Sequence, residues 1–456
     1  MQTHWLSASQ ISEAYRNKSL SPVELVQALL DRIEAVDHKT HAFLQVDRER
    51  ALSQARLAER DFAQGRVAGA LHGVPYAAKD IIDIAGQATT CHSKVMQGHQ
   101  ARQDAAVIRN LHAAQAICLG KLALHEFAIG GPSFDLPFPA ARNPWNLNHH
   151  PGGSSSGSGS ALAAGLVPLA LGTDTGGSVR HPAAACGIAG LKPTYDLVSR
   201  EGVYPLAFSL DHVGPMARTV KDVAWLLDAL TGKVPGASKH SVARDLDRGI
   251  KGLRVGFVRH FHEQDMVADA DMSASLEQAA KIFESLGASV SDVRLPTLER
   301  FASVQKVIQM SECWAVHHRW LVERPQDYAQ MSRRKLLPGA FLTAADYVLA
   351  MQQRKVLMDA VDSALRDVDI LLVVNSMEPA CRIDDESEVV RTYPRQARAP
   401  FNLTGHPALA LMTGLSSHGM PLSMQLVGKF HDEATVLRFG HAYEQLAGWH
   451  EKHPEI

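Results

Sequence analysis

The sequence predicts an α/β protein with a mixed β-sheet, and three observations carry that prediction. Short apolar runs of strand length alternate along the chain with longer segments whose apolar residues recur at helical spacing. The chain has 456 residues, 46% hydrophobic and 21% charged, which suits a globular protein with a large core and not a disordered one. No internal repeat divides it, and the order of elements gives no clean break. Residues 1–456 therefore read as one large unit, with a helical elaboration at about 300–365.

The elements follow from local chemistry. Ser21-Pro22-Val23-Glu24 reads as a helix start, with Ser21 as N-cap, Pro22 at the first helical position and Glu24 closing a capping box. Val26, Leu29, Leu30 and Ile33 follow at helical spacing. A second helix is expected over 48–65. Residues 74–78, apolar and preceded by Gly73, read as the end of a buried strand. Residues 107–114 read as helix and 116–120 as strand. The polar run 232–252, with Pro235 and Gly236, reads as a surface connection. After it come strands at 253–258, 288–295 and 369–374, and helices at 274–286, 301–322 and 344–365.

Charge and cysteine usage exclude several classes. Lys and Arg number 46 against 48 Asp and Glu, so no basic excess points to nucleic acid. Five cysteines, odd in number and in no C-x-x-C, disfavour a disulfide framework or zinc ribbon and suit a reducing cytoplasm. Residues 1–18 lack the apolar stretch of a signal peptide. The longest run without Asp, Glu, Lys or Arg spans 143–173, but its compact apolar part is only 161–171, too short for a membrane span of ~20 residues. That charge-free run needs another explanation.

Residues 151–192 read PGGSSSGSGSALAAGLVPLALGTDTGGSVRHPAAACGIAGLK, and ten of these 42 are glycine against 33 of 456 overall. A flexible linker is not interrupted by core material such as 161–171. A P-loop needs a Lys that is missing here, and a dinucleotide fingerprint needs a Gly where Leu162 stands. Gly153-Ser154-Ser155-Ser156-Gly157 matches the G-x-S-x-G elbow of α/β-hydrolases with Ser155 central, but loop-like residues precede it instead of a strand. The second glycine pair, in Thr173-Asp174-Thr175-Gly176-Gly177-Ser178, lets backbone N–H groups converge beside a serine, as an oxyanion hole requires. A serine nucleophile also needs a base. Lys79 ends the apolar run of residues 74–78, and desolvation there makes it a plausible one.

Together, GVPYAAKD, PGGSSSGSGSALAAG, LGTDTGGSVRHPAAACGIAGLKPT and LDHVGPMART resemble the amidase signature family, as do the later APFNLTGHPALAL and GMPLSMQLVGKFHDEATVLR. The similarity covers nearly the whole chain, with core motifs in 71–220 and 366–445. The resemblance implies a mixed sheet of roughly eleven strands flanked by helices on both faces, and no cofactor or metal. It implies a Ser–cis-Ser–Lys triad of Ser178 as nucleophile, Ser154 as relay and Lys79 as base. Thr175, Gly176, Gly177 and Ser178 would hold the oxyanion, with Asp174, Arg180 and Ser155 in support. Phe127, Ile129, Phe134 and Phe138 would line the acyl pocket. Asp196 departs from the family pattern, standing where Gly often follows KPTY.

The remaining histidines are expected at the surface. His149-His150 and His317-His318 are adjacent pairs that face apart on a regular element, so no metal set is read there. Three functions compete: an amidase cleaving linear amides, the glutaminase-type A subunit of a tRNA-dependent amidotransferase, and a non-catalytic protein on the same fold, which the intact triad disfavours. Arg395 stands where the glutaminase-type chain carries an acid for the α-amino group of glutamine. With the apolar 124–138 segment and a Met- and Tyr-rich cover (Met310, Tyr328, Met331, Tyr347, Met351), it leads to an expected preference for an uncharged apolar or aromatic amide, anilide or carbamate. A small-molecule amide is the expected partner, with no nucleic acid and no membrane; a homodimer is left open.

Overall fold

The computed structural model describes residues 2–235 and 238–456; Gly236, within the expected 232–252 connection, lies outside the described residues with Met1 and Ala237. Among the described residues eleven strands form one mixed sheet. They are β1 (Phe43–Val46), β2 (Pro75–Lys79), β3 (Ile117–Leu122), β4 (Leu169–Asp174), β5 (Ala189–Lys192), β6 (His212–Ala217), β7 (Arg254–Phe257), β8 (Ser289–Asp292), β9 (Ile370–Val374), β10 (Ala408–Leu415) and β11 (Pro421–Val427). Their order is β1-β3-β2-β4-β6-β5-β10-β11-β9-β7-β8. Pairing is parallel for β3-β2-β4 and for β9-β7-β8, and antiparallel elsewhere. β9 reads Ile-Leu-Leu-Val-Val and is wholly buried, as a strand covered on both faces should be.

The helix Pro22–Thr40 begins on the expected capping box: Glu24 N–H donates to Ser21 Oγ at 3.1 Å, and Ser21 N–H to Glu24 Oε2 at 2.8 Å. Helices Arg48–Ala63, Leu298–Glu323 and Ala344–Ala364 fall within a few residues of their expected places. The 232–252 run is not wholly superficial, because Leu246 and Ile250 are buried in the core. Asp196 adopts φ +68°, the left-handed conformation for which glycine is favoured and which a short polar side chain tolerates. No helix among the described residues is long and apolar enough to cross a membrane.

The parallel pair β2 and β4 positions the site. Tyr76, Ala77 and Ala78 lie opposite Leu169, Ala170 and Leu171, so Lys79 and Thr173 emerge at the same edge. The helix Ser156–Ala163 packs across these strands. It carries glycine where the approach is closest: a Cβ on Gly157 would lie 2.4 Å from Ala42 O and 2.5 Å from Ala123 N. That contact fixes where the preceding residues, Gly153 to Ser155, sit.

Candidate active site

Lys79 is the last residue of β2 and has no exposed surface. Its Nζ lies 2.8 Å from Ser154 Oγ and 2.7 Å from Thr173 Oγ1. Burial pushes the amine down to about 7, against the opposing pull of the Asp174 and Asp211 carboxylates. A lysine that is neutral near neutrality can accept a proton. Thr173 went unnoticed in the sequence, although it stands one residue before Asp174 in the same motif. The peptide bond Gly153–Ser154 is cis. Gly153 has no room for a side chain, since a Cβ there would lie 2.0 Å from the His125 ring, and its N–H donates to His181 Nδ1 at 3.3 Å.

Ser155 is fully buried and turned into the backbone. Its hydroxyl donates to Thr173 O and accepts from Thr173 N–H, both at 3.2 Å, and its own N–H donates to Ser178 O at 3.2 Å. It therefore staples the two glycine-rich segments together and does not face the cavity, which removes the elbow reading. Ser178 is half-buried and lines the same cavity as Ser154.

Asp174 and Arg180 form a bidentate pair, Nε–Oδ2 at 3.0 Å and Nη2–Oδ1 at 3.1 Å, with neither residue exposed. Burial alone would raise the Asp174 carboxyl, but the Arg180 charge and hydrogen bonds hold it well below the usual carboxylate range. The carboxylate also accepts from the N–H groups of Gly177 at 2.7 Å and Val179 at 3.1 Å and from Asn402 Nδ2 at 2.8 Å. Arg180 continues to Asn402 Oδ1 at 2.6 Å and Gln425 Oε1 at 2.8 Å. The pair thus shapes the 174–180 loop and does not orient Ser154. Of the four N–H groups expected to hold an oxyanion, that of Gly177 is committed to Asp174.

The cavity above these groups measures about 580 Å³. Of the four residues expected to line it, Ile129 does. Phe127 is instead in the core, its ring 4.6 Å from His317 and 5.5 Å from Tyr328. Phe138 packs on His92 at 5.1 Å, and Phe134 is 59% exposed beneath Arg142. The segment turns back at Phe127 and Ala128, both with positive φ, so its alternate side chains do not share a face. Met310 and Met331 line the cavity as expected; Tyr328 is a core residue and Tyr347 bonds to Glu312 at 2.8 Å. Arg395 is not on the wall: it pairs with Glu378 at 3.0 Å.

The wall is not apolar throughout. It carries Lys306, Arg334, Lys335 and Arg398, and no Asp or Glu among the described residues. Of the features behind the expected apolar or aromatic substrate, Ile129, Met310 and Met331 lie on this wall and Arg395 does not. Eleven of the 23 histidines are buried, not superficial. His125, His150 and His181 cluster with Tyr393 at ring distances of 4.8 to 5.9 Å beside the Gly153–Ser154 peptide. One group of three candidate metal ligands, His262, Glu263 and Glu277, lies off this cavity, and Glu277 is already held by Arg259 at 2.7 Å.

This fold and site define an amide-cleaving class. Residues 24–437 match the family model described as Amidase, and the chain belongs to that family. It is 36% identical over 491 aligned positions to the Glutamyl-tRNA(Gln) amidotransferase A subunit of Carboxydothermus hydrogenoformans, covering all of both chains. It is 34% identical to the protein of that name from Coxiella burnetii, over 99% of this chain and all of that one. Among solved structures it resembles a chain from a vestigial protein complex bearing on the origins of an s-triazine catabolic enzyme (TM-score 0.89, 33% identity, 97% and 98% coverage). It also resembles native peptide amidase from Stenotrophomonas maltophilia (TM-score 0.85, 29% identity, 97% coverage of each).

Proposed function

We propose that the chain hydrolyses the C–N bond of a small amide through an acyl-enzyme formed on Ser178. The observation that carries this reading is the buried Lys79 amine, 2.8 Å from Ser154 Oγ at the floor of the cavity that Ser178 lines. Neutral Lys79 takes the Ser154 proton as Ser154 takes that of Ser178. Ser178 Oγ attacks the carbonyl carbon, and the N–H groups of Thr175, Gly176 and Ser178 stabilise the oxyanion. The C–N bond breaks as the proton returns through Ser154 to the leaving nitrogen. Water then repeats the sequence on the ester and frees the acid.

The relatives named as amidotransferase subunits keep a second reading open, in which glutamine is the substrate and a partner protein is needed. The wall speaks against it, because among the described residues it offers four cations and no carboxylate for an α-ammonium group. Assay of the purified chain alone, against amides and against glutamine, separates the two. Ser178→Ala should lower turnover by about 10³-fold or more. Turnover that survives the substitution removes the acyl-enzyme, and glutaminase activity that requires a partner favours the second reading.

A further inference from the structure

Arg398 is 3% exposed and lines the cavity. It lies directly on the loop before the nucleophile: a Cβ on Gly177 would meet Arg398 Nε at 2.5 Å and its Cδ at 2.6 Å, and Gly177 has φ +118°. One amino group of its guanidinium is satisfied. Nη1 donates to Asn375 O at 3.2 Å and Asn375 Oδ1 at 3.0 Å, and also to Ser376 Oγ. The other edge is not: Nε is buried without a partner, and no carboxylate among the described residues pairs with this residue. The other buried arginines differ. Arg180 pairs with Asp174, while Arg218 and Arg354 donate to backbone carbonyls. A buried guanidinium on a cavity wall, with no carboxylate beside it and one nitrogen unpartnered, calls for an anion.

The acyl part follows from what the other groups must face. The leaving nitrogen has to face Ser154, which returns its proton, and the carbonyl oxygen has to face the loop N–H groups. The substituent left for Arg398 is the acyl chain. We propose that the substrate is the amide of a short acid whose acyl part carries a second, free carboxylate, received by the guanidinium of Arg398. The proposal rests on the amide-hydrolase reading of the site. Lys335, half-buried and donating to Gly130 O at 2.6 Å, and Lys306 at the rim add positive potential to the same wall.

Succinamate and succinamide differ only in a carboxylate against a second amide and serve as the probes. Calorimetry on the full-length Ser178→Ala chain should show succinamate binding at least about tenfold tighter, the worth of a charge-assisted pair. In the parent chain the same preference should appear in kcat/KM, chiefly through KM. Arg398→Gln should bring the succinamate-to-succinamide ratio close to one. Equal binding of the two probes, or a preference that survives Arg398→Gln, overturns the proposal; if that variant does not fold, the binding pair decides alone. Hydrolysis that persists in Ser178→Ala strikes the underlying reading instead and leaves the binding comparison intact.

Discussion

At the scale of single residues, the burial that suits Lys79 to the proposed role of base opposes stability. Unfolded, its amine titrates near 10.5; buried, it titrates at about 7. Between these values the unfolded chain holds a proton that the folded chain lacks, so stability rises with pH across the window and is lowest at pH 7 and below. Lys79→Met should therefore raise the denaturant midpoint at pH 7, with the gain fading toward pH 10.5, while hydrolysis is lost. Activity of the parent chain should climb as pH rises through about 7, because only the neutral amine accepts a proton; a rate flat from pH 5 to 9 contradicts a lysine base. The residue was legible in the sequence because a cation after four apolar residues is rarely solvated. Arg398 was not. Its neighbours Ala397 and Ala399 suggest nothing, and its partners Asn375 and Gly177 are brought to it only by the tertiary fold. The buried histidines escaped for the same reason, since burial of a half-polar ring depends on what packs over it.

Among elements, the loop that follows β4 depends on one carboxylate. Asp174 holds the loop N–H groups, Arg180 and Asn402 together, and Asn402 arrives on the short helix Ala399–Thr404. Asp174→Asn leaves a buried guanidinium without its counter-charge, which costs about 3–5 kcal/mol when a buried pair is broken from one side. Denaturant unfolding should register that loss, and kcat should fall with it as the proposed oxyanion donors lose their alignment. A variant as stable as the parent but inactive points to a direct chemical role for Asp174. The strands and helices around this loop were readable from period and caps. The direction of each side chain in 124–138 was not, because the reversal at Phe127 and Ala128 leaves no period to follow.

Over the whole molecule, distant parts of the chain meet on the helix Val220–Leu230. Asp222 accepts from Ala8 N–H at 2.8 Å and Ser9 N–H at 3.0 Å, and Glu444 accepts from Val220 N–H at 2.8 Å. Burial raises the Glu444 carboxyl to about 8. From about pH 4.5 to 8 the folded chain keeps a proton that the unfolded chain has released, so this contact weakens the fold as pH rises and the penalty is complete above 8. Glu444→Gln keeps the acceptor without the charge. It should raise the melting temperature at pH 8.5 and leave it unchanged at pH 4; a gain of equal size at both values removes ionisation as the cause.

The sheet order has a consequence for synthesis. Arg180, which braces the loop that carries Ser178, takes its remaining partners from Asn402 and from Gln425 of β11, and β5 pairs with β10 across nearly half of the chain. At an elongation rate of about 5–20 residues per second, Gln425 is translated roughly 10–50 s after Ser178. Throughout that interval the nascent polypeptide carries Lys79, Ser154 and Ser178 while the loop that bears Ser178 lacks this brace. A ribosome-bound chain arrested before β11 should show no hydrolysis, whereas release of the finished polypeptide switches it on.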